Sequence, residues 1–190
     1  SLADSVAARL RQLMGRVGRD IDLRARRAST ENLSAWTTFQ RGRQLRDRVD
    51  SLLAAGKGAT VSPVLDSAAV RFGEAARLDA RWSAPVVGRA FVALTRARLL
   101  DAAPVRAAQW LDSTEALATA ALAIDDTDAD AYEARGAARA ERLRIGLVPA
   151  TGVQAAKDLA EADLVEATRL NPTQASAWNV LSMLAYSGAD

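Results

Sequence analysis

Three stretches of this 190-residue chain align at a fixed spacing of 46 residues, and that spacing narrows the fold more than any other feature. They are AARLDARWSAPVVGRAFV from Ala75, ALAIDDTDADAYEARGAA from Ala121 and ATRLNPTQASAWNVLSML from Ala167. Each reads as the end of one helix, a short polar turn and the start of another. Self-similarity at one period is the mark of stacked supersecondary units, each unable to bury its apolar face alone. Between the joints the apolar positions keep helical spacing, which predicts helices over 3–27, 31–55, 62–78, 83–100, 106–124, 129–144, 153–170 and 174–187. The breaks fall at GKGATVSP, at AAP around Pro104 and at GLVPATG, all turn-forming compositions. Composition agrees: 49% of residues are hydrophobic, much of that alanine, and 5% aromatic. Alanine loses no side-chain entropy on entering a helix. The expected architecture is all-α, an antiparallel helix-pair solenoid preceded by an amphipathic helix.

The stretch IDDTDADAY, Ile124 to Tyr132, crowds four aspartates into one joint. Asp126, Asp128 and Asp130 match the one-three-five spacing of a calcium loop. The sixth position is Ala131 where such a loop needs glycine, and the twelfth is Ala137 where it needs a bidentate glutamate. The equivalent loop at the next repeat, NPTQAS, has no carboxylate. A capping role fits better: Asp128 or Asp130 accepts a hydrogen bond from a free N–H in the first turn of the following helix, where negative charge suits the dipole. Pro172 sits where a helix has to stop.

With no histidine and no cysteine, Ser-His-Asp and Cys-His catalysis are excluded, as are thiolate or imidazole zinc sites and disulfides. Nothing pairs the remaining carboxylates, lysine and tyrosines at a catalytic spacing, so no enzyme activity, catalytic residue, cofactor or metal is expected. No apolar run is long enough to span a bilayer, so no membrane insertion is expected. No secretory signal is visible, and the cytoplasm is the favoured compartment. Net charge is +2, but unevenly spread. Residues 1–50 hold eleven arginines against six acids, and residues 151–190 hold two bases against five acids. Arg9, Arg11, Arg16, Arg19, Arg24, Arg26 and Arg27 lie around much of the first helix with no interleaved aromatics, so nucleic-acid binding is disfavoured. Val6, Leu10, Leu13, Val17 and Ile21 form one stripe on that helix. It packs as a cap on the first unit or serves as a short dimerisation seam, which Gly15 and Gly18 weaken.

The repeat frame resembles the tetratricopeptide repeat (TPR). Tyr132, Gly136, Ala160, Leu164, Ala167 and Pro172 carry the likeness best, and Trp178, Leu181 and Ser182 begin another unit. Val86, Ala90, Ala121 and Asp126 match more loosely, as do Trp36, Ala68, Phe72, Ala75 and Ala80. The resemblance covers about residues 31–190, with 1–28 as the amphipathic helix. Within a repeat domain of 29–190 the units are about 31–80, 83–126 and 129–172, with a partial unit at 175–190. Units of 46 residues exceed the family's 34, and HEAT-type helical repeats remain a rival. The partial unit supplies a first helix and no second, which predicts an open apolar end and a chain cut from something longer. STENLSAWTTFQRGR, Ser29 to Arg43, is similar to the entry segment of repeat regions that follow effector domains in multidomain bacterial signalling proteins.

The resemblance implies a concave face, lined by the first helix of each unit, that binds a protein or peptide partner. Carried over position by position, the face offers Ser34, Thr37, Arg41 and Gln44, then Ala84, Val87, Phe91 and Leu94. It continues with Asp130, Glu133, Ala137 and Ala140, then Ser176, Asn179, Met183 and Tyr186. The strongest candidates are Arg41, Gln44, Val87, Phe91, Leu94, Glu133, Asn179, Met183 and Tyr186. Chaperone-docking members clamp a C-terminal carboxylate with lysine and asparagine. The matching positions here hold Thr37, Arg41, Val87, Phe91, Glu133 and Ala137, so that clamp is missing. The expected function is a non-enzymatic interaction scaffold, a docking or sensing arm of a larger bacterial signalling protein. The alternative is a module that self-associates, as a homo-oligomer through the N-terminal helix or the open C-terminal end.

Overall fold

The computed structural model describes residues 30–100 and 102–186, so the helix expected over 3–27 lies outside the described residues. Seven α-helices follow one another: α1 Leu33–Ala54, α2 Val61–Leu78, α3 Ala84–Arg98, α4 Pro104–Ile124, α5 Ala129–Arg144, α6 Val153–Leu170 and α7 Ala175–Tyr186. Short 3-10 turns at Gly58–Thr60 and Ala150–Gly152 lead into α2 and α6. No strand occurs among the described residues. The chain is an all-α solenoid of antiparallel helix pairs, TPR-like in architecture.

The joints show why the 46-residue period folds this way. Ala75, Ala121 and Ala167 are each fully buried. Their carbonyls accept from the N–H of Asp79, Asp125 and Asn171 at 3.0, 2.9 and 2.8 Å, closing α2, α4 and α6 alike. The same three residues then turn their side chains onto the chain ahead. Asp79 accepts from the N–H of Arg81 at 3.1 Å, Asp125 from Thr127 at 3.0 Å and Asn171 from Thr173 at 3.3 Å. Short polar side chains that hydrogen-bond two residues on are what makes such turns. Asp128 takes the capping role. It is the N-cap of α5, accepting from Ala131 N–H at 3.1 Å through Oδ1 and from the Ser83 hydroxyl at 2.6 Å through Oδ2.

The opposite ends of α1 and α5 close through Gly56 and Gly146, at φ +69° and +71°. The N–H of Lys57 reaches back to the Leu52 carbonyl, and that of Leu147 to Arg142, both at 2.9 Å. This is the Schellman closure, which needs a residue comfortable in the left-handed region.

Packing follows from small residues placed against large ones. The buried Phe72 ring of α2 lies where a Cβ on Gly42 or Gly88 would stand 2.7 Å from it, so α1 and α3 close on the ring from two sides. Leu164 of α6 meets Gly136 of α5 in the same way. Each helix packs on the next, and the first helices also touch one another, α1 on α3, α3 on α5 and α5 on α7. Among the described residues α2, α4 and α6 make no such contact with each other. First helices lying closer together than second helices curve the array, with α1, α3, α5 and α7 inside the bend.

Candidate groove on the inner face

Two cavities lie along the first helices, the second of them shared with the N-terminal end of α6. The first, about 280 Å³, has an apolar floor from Phe39 of α1, Phe72 of α2, Trp82, and Ala84, Val87, Gly88 and Phe91 of α3. Arg43 and Arg46 of α1 stand on one side of it and Asp130 of α5 on the other. Its aromatic rings hold one another in place: Phe39 meets Trp82 edge-on at 4.7 Å and Phe72 at 5.5 Å. The Arg46 guanidinium lies 5.4 Å from the centroid of Phe91, within cation–π range. The second cavity, about 560 Å³, lies between α3, α5, α6 and α7. Ala137, Ala140, Leu143, Val153, Val180, Met183 and Leu184 make its apolar surface, with Arg98, Glu141, Arg144, Gln154 and Lys157 around it.

A carboxylate pair sits near the first cavity. Gln174, 8% exposed, donates from Nε2 to Asp130 Oδ1 at 2.7 Å and to a Glu133 oxygen. Desolvation pushes the Asp130 carboxyl above its ordinary 3.8, and Asp128 adds to the shift, while Arg46, Arg43 and the Gln174 hydrogen bond pull it back. Burial likewise raises the Glu133 carboxyl above 4.5, against hydrogen bonds from Ser176 and Gln174. Among the described residues the Gln174 side-chain oxygen, Oε1, is buried without a hydrogen-bond partner.

The expected face is distributed as follows. Phe91 and Val87 line the first cavity, Val87 only 3% exposed. Leu94, 2% exposed, belongs to the core with Leu111 and Ala138. Glu133 is buried beside Gln174, Met183 lines the second cavity at 57% exposed, and Asn179 and Tyr186 are exposed on α7. Arg41 and Gln44 are exposed but line neither cavity. On α1 the residues that do are Phe39, Arg43 and Arg46, two positions further along. The expected Arg41 lies 50 residues before Phe91, whereas Phe91, Ala137 and Met183 repeat at 46, as do Gly42 and Gly88. Gly42, paired with Gly88 across Phe72, would have set the α1 frame better than Trp36 did.

Other arginines are engaged between the inner and outer helices. Arg135 and Arg139 of α5 both bind Asp163 of α6, at 2.7 Å each, and Arg142 binds Glu115 of α4 at 2.8 Å. Arg139 spans the two acids, reaching Glu115 at 3.4 Å. These arginines hold three helices together.

No family model matches the sequence, and no curated protein does. Among solved structures the chain is similar to the Arabidopsis OM64 TPR domain, at 19% identity over 77% of this chain and 96% of that one, with a TM-score of 0.47. It is also similar to the first TPR of Spaghetti (RPAP3) bound to the HSP90 peptide SRMEEVD, at 18% identity over 80% and 95% and a TM-score of 0.48. The first TPR domain of human RPAP3 aligns at 18% identity over 78% and 92%, with a TM-score of 0.47.

Proposed function

We propose that this chain is a non-enzymatic docking module that holds a peptide or protein segment in the groove along α1, α3, α5 and α7. The observation that carries the reading is the pair of cavities along the first helices, each with an apolar surface and charged residues around it. Clefts of a few hundred Å³ lined by apolar side chains and a few directed polar groups are the usual form of a recognition site. The wider role, a docking or sensing arm of a larger bacterial signalling protein, is supported by the likeness of the segment from Ser29 to Arg43 to the entry of such regions. Panning a random peptide library against the wild type, Phe91→Glu and Met183→Glu, each checked for helix content, tests the groove. Peptides held by the wild type and released by a folded variant support it. A library that yields none, or peptides that bind all three proteins equally, overturns it.

A second reading is favoured by the last two helices. Leu159 and Val165 of α6 are 54% and 55% exposed, and Trp178 and Tyr186 of α7 are 50% and 82% exposed. Such a run of apolar side chains at one end suits self-association. Sedimentation over a wide concentration range decides it: a chain that stays monomeric throughout ends this reading.

A further inference from the structure

The first cavity has opposite charges on its two sides. Arg43 and Arg46 come from α1, Asp130 from α5, and the apolar floor of Phe39, Trp82 and Phe91 lies between. Among the described residues neither arginine has an ion-pair partner, and both act on Asp130 only from beyond salt-bridge distance. Arg135, Arg139 and Arg142 of α5, by contrast, are engaged with carboxylates of neighbouring helices. The fold therefore leaves two guanidiniums facing a carboxylate across an apolar recess sized for one large side chain.

Resting on the groove reading above, we infer that this cavity takes an internal peptide segment in which one bulky apolar residue lies between an acidic and a basic residue. The apolar side chain enters against Phe39, Trp82 and Phe91. The segment's carboxylate pairs with Arg43 and Arg46, whose forked donors suit a planar anion. Its ammonium or guanidinium pairs with Asp130. Opposite charges on the two sides also discriminate: a segment with two acids meets Asp130, and one with two bases meets the arginine pair. Like charges brought together in this way reject the wrong partner as effectively as the right pairs select the correct one.

The test uses short acetylated and amidated peptides, so that only side chains carry charge, with tryptophan flanked by Glu and Lys, by two Glu or by two Lys. Calorimetric titration into the 190-residue chain is expected to rank the mixed peptide first. Arg43→Glu, an exposed position, is expected to weaken it about tenfold, the loss of one charge-assisted contact. Asp130→Lys is expected to shift the preference to the doubly acidic peptide. Arg48→Glu, an exposed charge change on the same helix, is expected to leave all three unchanged. Equal binding of the three peptides, or an equal effect from Arg48→Glu, overturns the inference as mere charge attraction. Absence of binding by all three overturns it too. If library peptides still bind and are lost in Met183→Glu, the groove reading survives without this one; if no library peptide binds either, both fall.

Discussion

Phe72 lies between two glycines, and that geometry decides which way a common stabilising substitution runs. Alanine is favoured over glycine inside a helix by about 1 kcal/mol. At Gly88 the added Cβ would stand 2.7 Å from the ring of a side chain with no exposed surface. Overpacking of this kind costs about 1–3 kcal/mol, more than the helix gains. Gly88→Ala is therefore expected to lower the denaturation midpoint, and Phe72→Leu in the same chain to recover part of the loss. Gly73, on α2 beside Phe72 in sequence, has nothing within 4 Å of its would-be Cβ. Gly73→Ala should raise stability by roughly 0.5–1 kcal/mol. Urea unfolding of the two variants side by side checks the pair, and a matching sign at both positions would refute the packing account.

At the scale of the helix, most boundaries could be read from sequence because the joints are built from local chemistry. Asp79, Asp125 and Asn171 make their turns with residues two places on, and no distant contact is needed to specify them. Cross-helix electrostatics could not be read this way. Nothing local tells that Asp163 faces two arginines of α5, or that Gln174 bridges two carboxylates. The α1 stripe differs for another reason: a frame set on Trp36 puts Arg41 50 residues before Phe91, while the joints and the pair Gly42 and Gly88 keep a period of 46. Asp163 is 4% exposed and has two guanidiniums on it. Asp163→Ala is expected to cost about 3 kcal/mol, the low end for a broken buried pair, because both arginines keep an edge in water. The Asp130 and Glu133 carboxyls titrate above their ordinary values, so the folded chain binds more protons than the unfolded one. Their contribution to stability is complete below the ordinary values of 3.8 and 4.5 and is lost as pH rises through the raised ones. Glu133→Gln should accordingly raise the melting temperature relative to wild type near about pH 7, with the difference vanishing in acid. Thermal melts of both proteins across that range decide the point, since a difference that grows toward low pH would contradict the burial of the acid form.

The whole molecule is a one-dimensional stack, and its stability is spread accordingly. In such arrays each unit leans on its neighbours, so units with fewer neighbours open first. The middle helices pack on both sides: α3 lies against α1, α2, α4 and α5. By contrast α7 touches only α5 and α6 among the described helices, and of its residues only Ala177 and Leu184 are buried. Four tryptophans lie along the chain, and two of them report opposite situations. Trp82 is 3% exposed and meets Phe39 edge-on, whereas Trp178 is 50% exposed and donates from its indole to the Pro172 carbonyl at 3.1 Å. With the other three tryptophans replaced by phenylalanine in turn, fluorescence from Trp178 should change at lower urea than fluorescence from Trp82. Amide exchange should show the same order, with α7 the least protected helix and α3 among the most protected. A partner held in the groove would cover Met183 and bridge α7 to α5, moving the Trp178 transition toward that of Trp82. Coincident transitions in the free chain would instead mean that α7 is bound to the stack as tightly as the central helices. The end of the array would then be set by contacts stronger than its exposed apolar face implies.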